Sequence, residues 1–140
     1  MKIFLQLFMA LHVNLYRLTN GKFGGHMNGG DVLLLKTGGR KSGKERVVPV
    51  MYLKDEDDYL VVASAAGAPN HPGWYWNAAK GTAPVNIQVG DKKMVVDVVD
   101  TDGEERDKYY ARFKEAIDSF TSYEQKTDRT IPVLKLSPKA

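Results

Sequence analysis

The chain has 140 residues, of which 43% are hydrophobic and 26% charged, and its formal net charge is +3. These values are typical of one globular domain spanning residues 1–140. Because the chain has no cysteine, disulfides, thiolate nucleophiles and sulfur metal ligands are excluded, and we expect a cytoplasmic protein. The mild charge, without a basic helix or an aromatic RNA-binding motif, argues against a nucleic-acid partner. The three histidines lack metal-ligand spacing, so we expect no metal site.

Apolar residues at three-and-four spacing predict an amphipathic helix over residues 2–19, which Asn20-Gly21 ends. Its apolar stripe consists of Ile3, Phe4, Leu7, Phe8, Leu11, Leu15 and Leu18. We expect this stripe to pack on the domain's own core, and a helix that lies on a membrane surface or covers a substrate is the alternative. Residues 20–30 contain five glycines and are predicted to form a flexible linker or lid.

Short apolar and β-branched segments separated by turns predict a mainly antiparallel sheet or barrel of five or six strands. The strands are expected at residues 32–37, 46–54, 59–64, 85–89, 92–99 and 131–136. The acidic residues 55–58 are expected to form a solvated turn. Two further helices are predicted, a short one that starts near Pro72 and ends at Gly81, and one over residues 104–121. Because strands and helices do not alternate, the fold class is α+β and a Rossmann sheet is not supported.

The most informative segment is a glycine-rich turn with four cations at residues 38–46, termed the cationic turn. It reads Gly38-Gly39-Arg40-Lys41-Ser42-Gly43-Lys44-Glu45-Arg46. Backbone N–H groups and fixed charges in such a turn can bind a phosphate or a polyanionic tail. The pattern is close to a P-loop, but Glu45 stands where a magnesium-binding Ser or Thr is required, and a strand follows instead of a helix. A solvated basic hairpin tip is the alternative.

Downstream, a loop of small residues and an aromatic cluster have the side chains that a flat, phosphorylated cofactor would contact. The small residues 63–65 let the backbone approach a ring closely. Residues 74–76 offer aromatic surface, and Asn77 adds an amide that donates and accepts. Core packing with one interfacial tryptophan is the alternative for this cluster. We expect His71 to form a hydrogen bond at the start of the helix rather than to act as a base.

Five short motifs follow one another along the chain. They are Thr37-Gly38-Gly39-Arg40-Lys41-Ser42-Gly43, Arg46-x-x-Pro49-x-x-Tyr52, Val62-Ala63-Ser64, His71-Pro72-x-Trp74-Tyr75-x-Asn77 and Tyr123-x-x-Lys126-Thr127-x-Arg129-x-Ile131-Pro132-Val133. Together they resemble the deazaflavin-dependent nitroreductase family, small F420-dependent quinone reductases of the split β-barrel class. The resemblance covers residues 32–137, and the order of its motifs makes it far more specific than any one of them.

The resemblance implies a split β-barrel of the flavin-reductase-like kind, with surrounding helices, that binds coenzyme F420. This deazaflavin is a two-electron hydride carrier with a phosphate and an oligoglutamate tail. Residues that would hold the tail are Arg40, Lys41, Ser42, Gly43 and Arg46. Residues that would frame the phosphate, ribityl chain and ring are Val48, Pro49, Val50, Val62, Ala63, Ser64, Ala65, Gly73, Trp74, Tyr75 and Asn77. Residues that match catalytic positions on the substrate side of the ring are Tyr52, Ser64 and Tyr123.

The implied activity is hydride transfer from reduced F420 to a quinone or a similar flat electrophile, a nitro compound included. Because the cofactor carries the hydride, the protein's tasks are orientation and electrostatics. Two alternatives stay open: a split-barrel reductase that uses FMN, and a non-enzymatic carrier of F420 or a similar amphiphile. The expected partners are a small-molecule electron acceptor, a membrane surface contacted peripherally by residues 2–19, and a second copy in a homodimer. One departure from the family is Phe120, one turn before Tyr123, where a phenolic hydroxyl is missing.

Overall fold

The computed structural model describes residues 2–27, 30–39 and 43–139, including the side chains of all but residues 2–6 and 27. The helices in this part of the chain are α1 (Lys2–Thr19), α2 (Gly73–Lys80), α3 (Gly103–Ala116) and α4 (Ser119–Gln125). The strands are β1 (His26–Met27), β2 (Gly30–Gly38), β3 (Glu45–Asp55), β4 (Asp58–Val62), β5 (Val85–Val89), β6 (Lys92–Asp100) and β7 (Val133–Pro138).

Six of these strands close into an antiparallel barrel in the order β2-β3-β4-β7-β6-β5. Strand β5 returns to β2, with Leu35 opposite Ile87, and β1 pairs with the beginning of β2. The predicted strands are confirmed in type and order, although Ser64 lies beyond the end of β4. The short helix is also confirmed, since α2 begins after Pro72 and ends before Gly81.

Alternating side chains fill the barrel and cover its outside, as the two-residue period of a strand requires. The interior contains Leu33 and Leu35 of β2, Val61 of β4 and Leu134 of β7, all 0% exposed. Outside, α1 covers β2 and β3, while α3 and α4 cover β4 and β7. The barrel therefore has one interior core and two outer apolar layers.

Helix α1 spans the predicted residues and is fixed to the barrel by one tyrosine. Val13 and Tyr16 are buried against the outer face of β2. The Tyr16 hydroxyl donates to the carbonyl of Gln88 at 3.2 Å and accepts from the N–H of Gly90 at 2.8 Å. Burial raises the pKa of Tyr16, so the hydroxyl stays protonated and both bonds persist at neutral pH.

In the apolar stripe of α1 that we expected to pack on the core, four of the five residues with described side chains are exposed, and the side chains of Ile3 and Phe4 lie outside the described part. The exposed fractions are 65% for Leu7, 59% for Phe8, 56% for Leu11 and 81% for Leu18. The expectation is wrong because α1 has a second, narrower apolar face, and the two hydrogen bonds of Tyr16 select that face for the barrel. None of the helices in the described part of the chain has the length and apolar content that crossing a bilayer requires.

Residues 20–25 form turns held against α1. The His12 Nε2–H donates to the carbonyl of Gly24 at 2.7 Å, and the N–H of Gly21 donates to the carbonyl of Tyr16 at 2.9 Å. Gly21 and Gly24 have positive φ angles, which glycine adopts at no steric cost. In its described part, the segment predicted to be a flexible linker or lid is hydrogen-bonded to α1.

The helix predicted over residues 104–121 is two helices that meet at Ile117. Ile117 has an extended backbone, with φ −139° and ψ 110°, although its N–H still donates to the carbonyl of Phe113 at 2.8 Å. The Tyr110 hydroxyl donates to the carbonyl of Phe120 at 2.8 Å and fixes the start of α4. This tertiary contact overrides the continuous helical pattern of the sequence.

The acidic turn at residues 55–58 anchors α3 as well as facing solvent. Asp55 accepts from the Tyr109 hydroxyl at 3.0 Å and from Nη1 of Arg112 at 3.2 Å. Arg112 also donates through Nη2 to the carbonyl of Lys54 at 2.7 Å. The prediction of a solvated turn holds for the exposed Glu56, whereas Asp55 docks the helix.

The attachment of α1 predicts the effect of Tyr16→Phe on stability. The substitution should lower the free energy of unfolding by about 1–3 kcal/mol, because a buried carbonyl and an N–H lose their partner. Urea unfolding followed by circular dichroism measures this loss. Leu18→Ala is the control on the same helix and should change stability by less than about 0.5 kcal/mol. A large loss for Leu18→Ala with none for Tyr16→Phe would contradict this mode of attachment.

Candidate active site

Helix α2 covers one end of the barrel, where β2, β4 and β6 finish and β3, β5 and β7 begin. The Asn77 Nδ2 donates to Thr37 Oγ1 at the end of β2, at 3.4 Å. The Tyr75 hydroxyl donates to Asp100 Oδ2 at the end of β6, at 2.6 Å. Gly73, the first residue of α2, faces open space. These contacts gather several of the predicted site residues at one end of the molecule.

The cationic turn joins β2 to β3 at this same end. The N–H of Gly39 donates to the carbonyl of Lys44 at 2.8 Å, and the N–H of Gly43, whose φ is 71°, donates to the carbonyl of Gly39 at 2.9 Å. Lys36 Nζ lies 2.9 Å from Glu45 Oε2, so the residue that breaks the P-loop pattern forms an ion pair across the hairpin. The predicted tail-binding residues Gly43 and Arg46 are exposed, and Arg40, Lys41 and Ser42 lie outside the described residues.

Strand β3 forms a wall that the rest of the barrel covers incompletely. All 11 of its residues, which are described throughout, keep some exposure to solvent, whereas Leu33 and Val61 on the neighbouring strands are 0% exposed. The inner side chains Val48, Val50 and Tyr52 contact the barrel core. A partly exposed apolar wall that begins at a cationic turn fits a planar cofactor with an anionic tail.

The residues after β4 form a strained turn at residues 63–68, termed the 63–68 turn. Ala65, Ala66 and Gly67 have φ angles of 46°, 54° and 82°, and the left-handed region is unfavourable for alanine. Gly67 packs on α4, where a Cβ would lie 2.9 Å from the carbonyl oxygen of Tyr123. Small residues therefore let the backbone of this turn lie directly against α4.

The predicted framing residues near this turn differ in accessibility. Val62 is buried in the outer layer beneath α3 and α4, and Ala63 is buried in the barrel core. Ser64 and Pro49 are partly exposed, and Ala65 is exposed. A ligand on the inner wall would thus meet Val62 only through its backbone, since its side chain is covered from the other side of the sheet.

The aromatic residues of α2 pack mainly on the protein itself. Trp74 contacts the barrel core, Tyr75 is 6% exposed, and Trp76 keeps 39% exposure. The ring centroid of His71 lies 4.7 Å from that of Tyr75 and 5.4 Å from that of Trp76. Burial and the hydrogen bond to Asp100 raise the pKa of Tyr75 to about 12. The side chains therefore pack on the core with one exposed tryptophan, while Trp74 keeps partial exposure to solvent, and their predicted contact with a cofactor stays a prediction.

The three predicted catalytic hydroxyls, all in the described part of the chain, do not lie together: Tyr52 is on the inner face of the sheet and Tyr123 is on the outer face. Tyr52 points to the barrel core, where its ring meets that of Tyr59 edge-on at 5.5 Å, and burial raises the pKa of Tyr52 to about 12. Tyr123 packs in the outer layer, with its ring 5.5 Å from that of Phe120. Ser64 begins the turn that packs on α4, so the structure connects Ser64 with the Tyr123 segment and not with Tyr52.

Two polar residues at this end of the barrel were not predicted as site residues. Arg129 donates to carbonyls of the 63–68 turn, and Asp100 accepts from Tyr75. Arg129 carries a sequence signal, because it lies in the last motif, whereas nothing marks Asp100 beyond its place at a strand end. A cavity of about 410 Å³ is lined by both His71 and Asp100. No group of His, Asp and Glu in the described residues is arranged to hold a metal ion.

Known proteins share this chain's sequence over most of its length. The family model for the F420H(2)-dependent quinone reductases matches residues 8–138. An F420H(2)-dependent quinone reductase of Mycobacterium tuberculosis is 37% identical over 135 residues, which cover 92% of this chain and 89% of the relative.

Solved structures share the fold as well. An F420-H2 dependent reductase is 39% identical, with a TM-score of 0.68 over 76% of this chain and 93% of that one. A structure described as a domain-swapped dimer is 35% identical, with a TM-score of 0.71 over 91% of this chain and 96% of that one. The predicted split barrel is therefore confirmed. Because the family model matches residues 8–138, the chain belongs to the F420H(2)-dependent quinone reductase family and is an oxidoreductase whose cofactor is coenzyme F420.

Proposed function

We propose that this chain transfers a hydride from reduced F420 to a quinone or a similar flat electrophile, nitro compounds included, and that the inner wall of β3 is where the reaction takes place. The observation that carries the proposal is the incomplete cover of this wall, which runs from the cationic turn to Tyr52. From Arg46 to Tyr52 a strand extends about 20 Å. That length separates an anionic tail at one end from a ring at the other.

Each part of the site has a role in this proposal. The cationic turn binds the oligoglutamate tail through Arg46, residues 40–43 and backbone N–H groups, beside the phosphate that the framing residues hold. The ribityl chain and ring lie on Val48, Pro49 and Val50, on the backbone of residues 62–65, and on Gly73, Trp74, Tyr75 and Asn77. The exposed end of the ring is left for the acceptor, which enters beside the Tyr52 hydroxyl on the inner wall; Ser64 and Tyr123, on the α4 side of the sheet, are the alternative hydroxyls.

When bound, reduced F420 supplies the hydride, so the protein needs no strongly tuned acid–base residue. The acceptor oxygen gains negative charge as it is reduced, and a hydroxyl that donates to it stabilises that charge. Because the pKa of Tyr52 is about 12, its hydroxyl stays protonated at neutral pH and serves as a donor and not as a base. Ser64 and Tyr123 are the other donors that this end of the barrel offers.

Turnover by the purified chain tests the proposed activity, and the Tyr52→Phe variant tests whether the reaction takes place on the inner wall of β3. The chain should alter F420 fluorescence at micromolar concentration and oxidise reduced F420 when a quinone is added. Tyr52→Phe should keep its F420 affinity and lose about 10²-fold in kcat/KM, as the loss of one oxyanion donor does. Tyr109→Phe, whose hydroxyl binds Asp55 at the opposite end of the barrel, is the control.

The same measurements separate the alternatives. A yellow protein as purified would indicate FMN, and F420 binding without oxidation by any quinone or nitro compound would indicate a carrier. Parallel Ser64→Ala and Tyr123→Phe variants identify the donor if Tyr52→Phe is as active as the wild type. Absence of F420 binding at high protein concentration would refute the proposed reaction for this chain.

The position of the cofactor tail predicts the effect of Arg46→Ala. Losing this cation should weaken F420 binding by about tenfold or more, because charge-assisted hydrogen bonds are among the stronger polar contacts. The difference from wild type should disappear with an F420 chromophore from which the oligoglutamate tail has been removed. Lys92→Ala removes an exposed cation at the other end of the barrel and should leave both affinities unchanged. Unaltered binding of intact F420 by Arg46→Ala would place the tail elsewhere.

The exposed stripe of α1 supports a peripheral membrane contact in a cytoplasmic protein. Leu7, Phe8, Leu11 and Leu18 are all more than half exposed. A cation adjoins the stripe, since the exposed Arg17 directly precedes Leu18 in the helix. Apolar side chains beside positive charge suit the surface of an anionic bilayer. We propose that α1 rests on such a surface, where apolar quinones are dissolved.

The membrane contact predicts that Leu11→Gln combined with Leu18→Gln reduces sedimentation with anionic phospholipid vesicles, because the face loses apolar area. High salt should also weaken binding of the wild type. Val99→Gln changes an exposed apolar residue of β6 and should leave vesicle binding unchanged. If instead the wild type ignores vesicles and light scattering shows a dimer that the double variant loses, the stripe is a homodimer interface.

A further inference from the structure

Arg129, in the loop between α4 and β7, binds two segments of the site at once. Its Nε donates to the carbonyl of Ala68 at 2.9 Å, and its Nη2 donates to the carbonyl of Ser64 at 2.7 Å. Its Nη1 donates to the carbonyl of Ala63 at 3.2 Å and to Nδ1 of His71 at 2.7 Å. One guanidinium therefore holds both ends of the strained turn and the loop that leads into α2.

These contacts use most of what the guanidinium can offer. It has five N–H donors in a planar fork, and the four hydrogen bonds direct them to acceptors within the protein. A lysine ammonium, which is a point charge on a flexible stem, does not reproduce this fork. Arg129 thus acts on the site through the turn and the loop, and not by binding an anionic ligand.

The turn needs this support because its backbone is strained. Ala65 and Ala66 have positive φ angles of 46° and 54°, and such conformations persist only where the surroundings over-determine them. The carbonyls of Ser64 and Ala68 lie on either side of the strained residues, and both accept from Arg129. Without the guanidinium, the carbonyl of Ala68 would lose the donor that Arg129 supplies, the carbonyl of Ser64 would keep only the N–H of Gly67 at 2.9 Å, and the turn would be free to relax.

Through its hydrogen bond to His71, Arg129 also stabilises the start of α2. Because an arginine only donates, Nδ1 of His71 is the acceptor, and the ring is neutral with its proton on Nε2. Burial, and next the charge of Arg129, lower the pKa of His71, while Asp100 acts in the opposite direction. The His71 ring packs against Tyr75 and Trp76, so the ring position set by Arg129 fixes the first turn of the helix.

We propose that Arg129 is the positioning residue of the cofactor site, which keeps the 63–68 turn and the start of α2 at the separation that F420 requires. The proposal rests on the proposed function, since these two segments are the ones assigned to the ring and ribityl chain. It adds a residue that touches neither cofactor nor substrate and that controls affinity by holding the backbone in place.

Three variants test the proposal by F420 fluorescence titration, with folding checked by circular dichroism. Arg129→Ala should weaken F420 binding by about tenfold or more, the usual effect of losing charge-assisted hydrogen bonds. Arg129→Lys should fail to restore the affinity, whereas millimolar guanidinium added to Arg129→Ala should restore part of it. Arg112→Ala is the matched control, because Arg112 also donates to a backbone carbonyl and a carboxylate, at the far end of the barrel.

Imidazole NMR of His71 gives a readout that general destabilisation does not produce. In folded Arg129→Ala, the pKa of His71 should rise and the proton should no longer be confined to Nε2. A wild-type affinity in Arg129→Ala or Arg129→Lys would overturn the proposal, as would an unchanged His71 titration. If Arg129→Ala does not fold, Arg129→Lys decides alone. Failure of the wild type to bind F420 would instead refute the proposed function. In that case the His71 titration would still show whether Arg129 positions the His71 ring.

Discussion

The structure depends on the pairing of β2 along both of its edges. Leu33 and Leu35 fill the barrel on one face of this strand, and Val32 and Leu34 lie under α1 on the other. One edge pairs with β3 and the other with β5, which closes the barrel. Because of this closure, strand ends that are far apart in sequence meet at one place. Thr37 comes to lie beside α2, and the cationic turn adjoins the segments assigned to the ring.

Closure also explains why β3 is the strand that we propose for the site. The barrel interior is filled from β2, β4 and β7, whose inward residues are buried, from 0% exposure at Leu33, Val61 and Leu134 to 8% at Tyr59, so these strands leave little surface for a ligand. Strand β3 keeps apolar side chains that are only partly covered. Since F420 brings the hydride itself, what the protein must supply is a fixed orientation. A wall that belongs to a closed barrel gives that rigidity, and the strained turn after β4 gives the close approach of backbone.

Much of the fold could be predicted from the sequence because its signals are local. Alternation and β-branching marked the strands, and Pro72 and Gly81 marked α2. The face of α1 that packs was not predictable, since both faces are apolar and a hydrogen bond from Tyr16 to the distant Gln88 makes the choice. The break at Ile117 likewise depends on a tertiary contact. For the site, motifs identified the segments, but they could not show that Tyr52 and Tyr123 lie on opposite faces of the sheet.

The way α1 is attached bears on how the protein can use it. If the broad apolar stripe were what held α1 to the barrel, no apolar surface would remain for a membrane or a second copy. Instead Val13 and the hydrogen-bonded Tyr16 hold the helix, so α1 is folded and positioned before anything covers Leu7, Leu11 or Leu18. Exposed apolar area of this size is unfavourable in water and is usually retained where it contacts a partner. The narrow face with Tyr16 therefore supplies the stability of α1, and the broad apolar face is left for contact. The membrane contact proposed above requires this arrangement, because the fold of the helix must not depend on what covers the exposed face.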